Sequence, residues 1–181
     1  MAGRGLTGVL LVGGASTRFG LPKALAGLGG ETLAERAWRI LGEACEERLA
    51  VGKVADRLEL PFPLVDDGTA VRAPIAGVVA GLRAAAGDVC VILPVDCPLV
   101  DADLLRRLAA GCACADACVP PTGPLPGGYR RSALAVLERR LVAGRLALRD
   151  ALEELDVSVA DVDASLLVNV NTPEDLARVR R

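Results

Sequence analysis

Short apolar runs alternate with stretches of helical period from one end of the chain to the other. Leu6 to Val12 reads as a buried strand. Val89 to Leu93 is an unbroken apolar run of the kind buried on both faces of a sheet. Arg48 to Val51, Leu64-Val65, Ala117 to Val119 and Val157 to Val159 are shorter strand candidates. The helices between them have readable starts. Thr32-x-x-Glu35 is a capping box and predicts a helix to about Cys45. Pro74 suits the first turn of a helix to about Ala86. Asp101 can cap a helix through Leu108, and Ser132 one over Ala133 to Val142. Thr172 caps a last helix, with Pro173 in its first turn and Glu174 and Asp175 on the positive end of its dipole. No linker, repeat or low-complexity tract interrupts the series, so one domain over residues 1–181 is expected. The alternation predicts an α/β fold of three layers, a mostly parallel sheet with helices on both faces.

In such sheets ligands bind beyond the carboxyl ends of the strands. Two segments fall there. The first is Leu11-Val12-Gly13-Gly14-Ala15-Ser16-Thr17-Arg18-Phe19-Gly20-Leu21-Pro22-Lys23, a glycine-rich loop with two fixed positive charges. Glycines let backbone amides approach a phosphate, and Arg18 and Lys23 can neutralise it. The loop is not the dinucleotide fingerprint, because Gly13 and Gly14 are adjacent. It is not a Walker A loop, because Lys23 does not follow a glycine. A plain turn is the other reading. The second segment is Pro94-Val95-Asp96-Cys97-Pro98. Asp96 either holds Mg²⁺, a hard cation content with few protein ligands, or closes a turn.

Composition narrows the chemistry. Aromatic residues make up 2% of the chain, so the core must be Ala, Val and Leu, and the stacking platforms of single-strand binders are missing. A net charge of −2 gives no footprint for duplex nucleic acid. The chain has no histidine, which excludes Ser-His-Asp and Cys-His catalysis and histidine metal sites. Cys112-x-Cys114-x-x-x-Cys118 lacks the C-x-x-C pairing of zinc sites and reads as small thiols at a helix end and in the next strand. Arg4 and the first apolar run only thinly imitate a signal peptide, and that run leads into the glycine loop. No stretch has the length of a membrane span. A cytoplasmic protein with reduced thiols is expected, with neither membrane nor nucleic acid as partner.

With these residues in view, the chain resembles the MobA-like nucleotidyltransferases, and among them the molybdenum cofactor guanylyltransferases. The resemblance starts in Leu11-Val12-Gly13-Gly14-x-Ser16-x-Arg18-Phe19-Gly20-x-x-Lys23-Ala24-Leu25. It continues through Gly29-Gly30-Glu31-Thr32-Leu33, Asp67, Ala73-Pro74-Ile75-Ala76-Gly77 and Pro94-x-Asp96-x-Pro98. Pro126 with Tyr129-Arg130-Arg131-Ser132-Ala133-Leu134 looks like the family's substrate-side stretch, and Asn169-Val170-Asn171-Thr172-Pro173-Glu174-Asp175-Leu176 like its C-terminal signature. The ordered set covers nearly the whole chain.

The resemblance implies a Rossmann-like nucleotidyltransferase fold and a set of roles. Leu11, Val12, Gly13 and Gly14 would contact the nucleotide, Arg18 and Lys23 its phosphates, and Asp67 the nucleoside. Asp96 would bind Mg²⁺, and Asn169 and Asn171 would face the pterin or help at the metal. The family's base-contacting asparagine after the second strand is absent, and Gly52 or Lys53 stands near its place. Gly at position 13, where cytidylyltransferase relatives carry Ala, and the Ile75-Ala76-Gly77 segment side with GTP. Arg130, Arg131, Arg145 and Arg149 are candidates for the acceptor phosphate. The implied reaction transfers GMP from GTP to the terminal phosphate of molybdopterin, with transient protein partners in cofactor delivery. That phosphate is already largely ionised at neutral pH, with a second pKa of about 6, so a chain without histidine needs no strong base. A molybdenum cofactor cytidylyltransferase or related nucleotidyltransferase of the same fold and a nucleotide- or cofactor-binding protein without turnover are the rival readings.

Overall fold

A computed structural model describes residues 5–13 and 22–179. In chain order the elements are β1 (Thr7–Leu11), β2 (Gly27–Leu28), β3 (Glu31–Thr32), α1 (Leu33–Ala44), β4 (Glu47–Gly52), β5 (Leu64–Asp66), α2 (Pro74–Ala84) and β6 (Val89–Pro94). They continue as α3 (Ala102–Gly111), β7 (Ala117–Val119), β8 (Gly127–Arg130), α4 (Leu134–Val142), α5 (Leu148–Ala151), β9 (Val157–Val159) and α6 (Pro173–Val179). The main sheet runs β5-β4-β1-β6-β8-β7-β9. Its pairings are parallel except where β8 meets β6 and β7. The expected mostly parallel α/β sheet is therefore what the chain forms.

The strands alternate between two cores. Leu10 of β1 with Val91 and Leu93 of β6 packs toward α1 and α3. Val9 and Leu11 with Cys90 and Ile92 packs toward α2 and α4. β1 and β6 are thus apolar on both sides, which is why these runs are continuous in sequence. The capping box of α1 is complete: Thr32 Oγ1 accepts from Glu35 N at 3.1 Å, and Glu35 Oε2 accepts from Thr32 N at 2.8 Å. Asp101 Oδ1 accepts from Leu104 N at 2.7 Å and starts α3. Thr172 and Asp175 reproduce the reciprocal pattern at α6.

Three local features depart from the sequence expectation. Ser132 does not cap α4; its hydroxyl donates to Asp116 Oδ1, and residues Arg131–Ala133 form a short 3₁₀ turn into the helix. A β2–β3 hairpin precedes α1, turning through Gly29 and Gly30 at φ 63° and 91°, which residues with a Cβ rarely adopt. Most consequential is β8, whose Gly-Gly-Tyr-Arg sequence gives no strand signal. Its glycines are a packing requirement: a Cβ on Gly128 would lie 2.5 Å from the Leu108 carbonyl oxygen and 2.9 Å from Cys112 Sγ. Gly128→Ala must push α3 off the sheet and is expected to cost roughly 1–3 kcal/mol, read from the urea midpoint.

The cysteines follow the simple reading. Cys112 ends α3 and is buried, Cys118 lies in β7 and is buried, and Cys114 is exposed. Among the described residues no group of three or more His, Cys, Asp or Glu is placed to hold a metal, and no helix is long and apolar enough to cross a membrane.

Candidate active site

The carboxyl ends of β5, β4, β1 and β6 open into a cleft of about 470 Å³. Leu11, Val12 and Gly13 line it from β1, Gly52 and Lys53 from β4, Asp67 from β5, and Asp96 and Cys97 from β6. Ala73, Pro74 and Gly77 bring in the start of α2, and Asn169 comes from the segment before α6. Gly77 lets α2 approach β1, since a Cβ there would sit 2.8 Å from Leu11 Cδ2.

Two ion pairs stand in this cleft. At the β6 end, Lys23 Nζ donates to Asp96 Oδ2 at 3.2 Å and to Asn171 Oδ1 at 2.9 Å. The Asp96 backbone oxygen accepts from Val170 N at 2.8 Å, which ties the segment bearing both asparagines to the end of β6. Cys97 Sγ donates to Asn169 Oδ1 at 3.0 Å. Burial pushes the Cys97 thiol well above its ordinary value, and the neighbouring Asp96 charge pushes the same way, so the thiol stays protonated and acts as a donor. At the β5 end, Lys53 Nζ donates to Asp67 Oδ1 at 2.8 Å and Oδ2 at 2.9 Å, and to the Thr69 carbonyl at 2.6 Å. This pair is the more enclosed, with side chains 11% and 8% exposed. Arg72 sits at the rim in a two-pronged pair with Asp56 at 3.0 and 2.6 Å, and its guanidinium holds the Asp56 carboxyl below the usual carboxylate range.

Of the residues singled out in the sequence, Leu11, Val12, Gly13, Lys23, Asp67, Asp96 and Asn169 line one cleft, and Asn171 touches it through Lys23. Gly14 and Arg18 lie outside the described residues. The stretch after Pro126 is not at the cleft. Tyr129 is fully buried and donates its hydroxyl to the Pro124 carbonyl at 2.7 Å. Arg131 donates to the carbonyls of Leu82, Ala85 and Gly87, at the opposite end of the sheet. Arg130 reaches the Ala113 carbonyl, Arg149 the Thr122 carbonyl, and Arg145 pairs with Glu154. None of these four arginines lines the cleft. What sequence reasoning missed are the partners: Arg72 with Asp56, Cys97 with Asn169, and Lys53 with Asp67.

The arrangement offers lysine charge, one carboxylate and two amide oxygens at one end of a cleft, and a second, internally neutralised pair at the other. Its relatives point the same way. A probable molybdenum cofactor guanylyltransferase of Chloroflexus aggregans is 34% identical over 97% of this chain and 93% of its own length. One from Pelotomaculum thermopropionicum is 31% identical over 96% and 91%. The crystal structure of molybdopterin-guanine dinucleotide biosynthesis protein A from Archaeoglobus fulgidus superposes with a TM-score of 0.80 at 29% identity, covering 96% of each chain. Residues 8–159 match the profile of the MobA-like NTP transferase domain. A match of that extent, alongside near full-length relatives above 30% identity, makes this chain a member of the MobA-like NTP transferase family.

Proposed function

We infer that the chain is a molybdenum cofactor guanylyltransferase. A terminal phosphate oxygen of molybdopterin attacks the α-phosphorus of GTP, the bond from that phosphorus to the bridging oxygen breaks, and pyrophosphate leaves. The observation that carries this reading is the contact of Lys23 with Asp96 in the same cleft as Gly13 and Asp67. Cation, carboxylate and nucleotide-lining backbone share one space, as transfer at a single triphosphate requires.

The residues present fit Mg²⁺. Asp96 contributes a carboxylate and Asn169 and Asn171 contribute amide oxygens, all hard donors, and Mg²⁺ characteristically keeps waters and phosphate oxygens as its other ligands. Bound there, it would supply charge neutralisation on the triphosphate. The rest of the work belongs to the chain. Lys23, at the foot of the glycine loop, meets the phosphates, with Arg18 as its companion in this reading. Leu11, Val12, Gly13 and Gly14 carry the nucleotide across β1. Asn169 and Asn171 face the pterin side. No residue is needed as a strong base, because the attacking phosphate arrives ionised. Catalysis is positioning and electrostatics.

Guanine is supported by the room over Gly13, where among the described residues an added Cβ would meet nothing within 4 Å, which leaves space beside the backbone for a purine. A cytoplasmic site of action belongs to the same reading. The test is pyrophosphate release from GTP, CTP and ATP with molybdopterin and Mg²⁺. GTP is expected to be the substrate. Preference for CTP would reassign the chain to cytidylyl transfer, and nucleotide binding without pyrophosphate release would make it a binding protein.

A further inference from the structure

The Lys53–Asp67 pair sits at the end of the cleft away from Asp96. The strands β5, β4, β1 and β6 are successive neighbours. Asp67 and Asp96 therefore follow strands three spacings apart, on the order of 14 Å. With the phosphates at Lys23 and Asp96, the opposite end takes the base. The parallel register pairs Gly52 with Asp66, so the residues after them, Lys53 and Asp67, emerge side by side.

The hydrogen-bond count defines what this pair can offer. An ammonium has three protons. Those of Lys53 go to Asp67 Oδ1, Asp67 Oδ2 and the Thr69 carbonyl, so among the described residues Lys53 has no donor left for a ligand. A carboxylate has about four acceptor positions. Three are taken, two by Lys53 and one on Oδ1 by Thr69 N at 3.1 Å. One position on Oδ2 is left, on a residue that lines the cleft.

We propose that Lys53 sets base selectivity through Asp67. It is a positioning residue: its two bonds hold the Asp67 carboxylate in a fixed orientation, with a single acceptor toward the ligand. Guanine presents two adjacent donors, N1–H and the N2 amino group, which can fork onto one ionised oxygen. Adenine and cytosine place a ring nitrogen lone pair beside their amino group, and that lone pair is repelled by the carboxylate. A buried polar group of this kind rejects a ligand that leaves it unpaired. The inference rests on the guanylyl-transfer reading and names the device that would enforce it.

Calorimetric titration of wild type, Lys53→Met, Lys53→Arg and Asp67→Asn with GTP, ATP, CTP and 2′-deoxyGTP tests it, with circular dichroism to verify folding. In Lys53→Met the affinity for GTP is expected to fall about thirtyfold or more, toward that for ATP and CTP, which change little. Its turnover at saturating GTP should stay near wild type, and Lys53→Arg should restore most of the preference. Asp67→Asn gives a second measure of the same pair and should flatten selectivity likewise. A GTP preference that survives both Lys53→Met and Asp67→Asn overturns the proposal, as does an equal loss for every nucleotide. A wild-type discrimination between GTP and 2′-deoxyGTP that vanishes in Lys53→Met, with base preference intact, would place the contact on the ribose and overturn it too. A wild-type chain without guanine preference refutes the guanylyl reading itself, whereas a preference indifferent to these variants refutes only the role of Lys53.

Discussion

Asp96→Ala is expected to lower guanylyl transfer by at least about a thousandfold while the protein stays folded, because in the proposed mechanism its carboxylate, beside Lys23 in the cleft, holds the divalent ion on the triphosphate. The side chain is 27% exposed, so deleting it opens no buried cavity. The bond that the segment needs structurally is made by the main chain, Val170 N to the Asp96 oxygen at 2.8 Å, and alanine preserves it. Initial rates of pyrophosphate release, set against a circular dichroism spectrum and a melting curve, separate the two effects. A near-normal rate in this variant would remove Asp96 from the chemistry.

Lys23→Ala should cut transfer on the order of a hundredfold or more, the usual consequence of losing a fixed charge that meets the transition state. Its effect on stability is expected to be small by comparison. The Lys23–Asp96 pair is partly open to solvent, with side chains 16% and 27% exposed, and such pairs contribute about 0–1 kcal/mol. A hundredfold rate loss corresponds to about 2.7 kcal/mol at the barrier. The two contributions are thus distinguishable in one variant by kcat/KM and thermal midpoint. A shift confined to the midpoint would make Lys23 a structural residue whose partners are Asp96 and Asn171.

The central strands were legible because they are buried on both faces: Leu10 and Leu93 serve one core, Val9 and Ile92 the other, so the apolar run is unbroken. Helix starts were legible where the cap is local, as at Thr32, Asp101 and Thr172. Ser132 failed by the same logic, because its side chain engages the distant Asp116, to which its hydroxyl donates, and accepts no helix amide. Strand β8 was invisible because its first two residues answer to packing and not to strand propensity: a Cβ on Gly127 would meet the Pro124 carbonyl and Tyr129, and one on Gly128 would meet α3 at Leu108. In the site, resemblance picked out the residues, while their pairing had to come from the fold. Lys53 meets Asp67 through strand register, and Asn171 meets Lys23 across 148 positions of sequence. Neither relation leaves a trace in local pattern.

The tether between Val170 and Asp96 has a consequence for the making of the protein. Ribosomes deliver chains N-terminus first at about 5–20 residues per second, so β6 emerges on the order of ten seconds or less before the segment that will clasp it. During that interval the nascent polypeptide can fold its leading strands, yet Asp96 lacks its tie to Val170 and Lys23 lacks Asn171. In the proposed mechanism, the clasp around Lys23 and Asp96 is therefore among the last parts of the site to form.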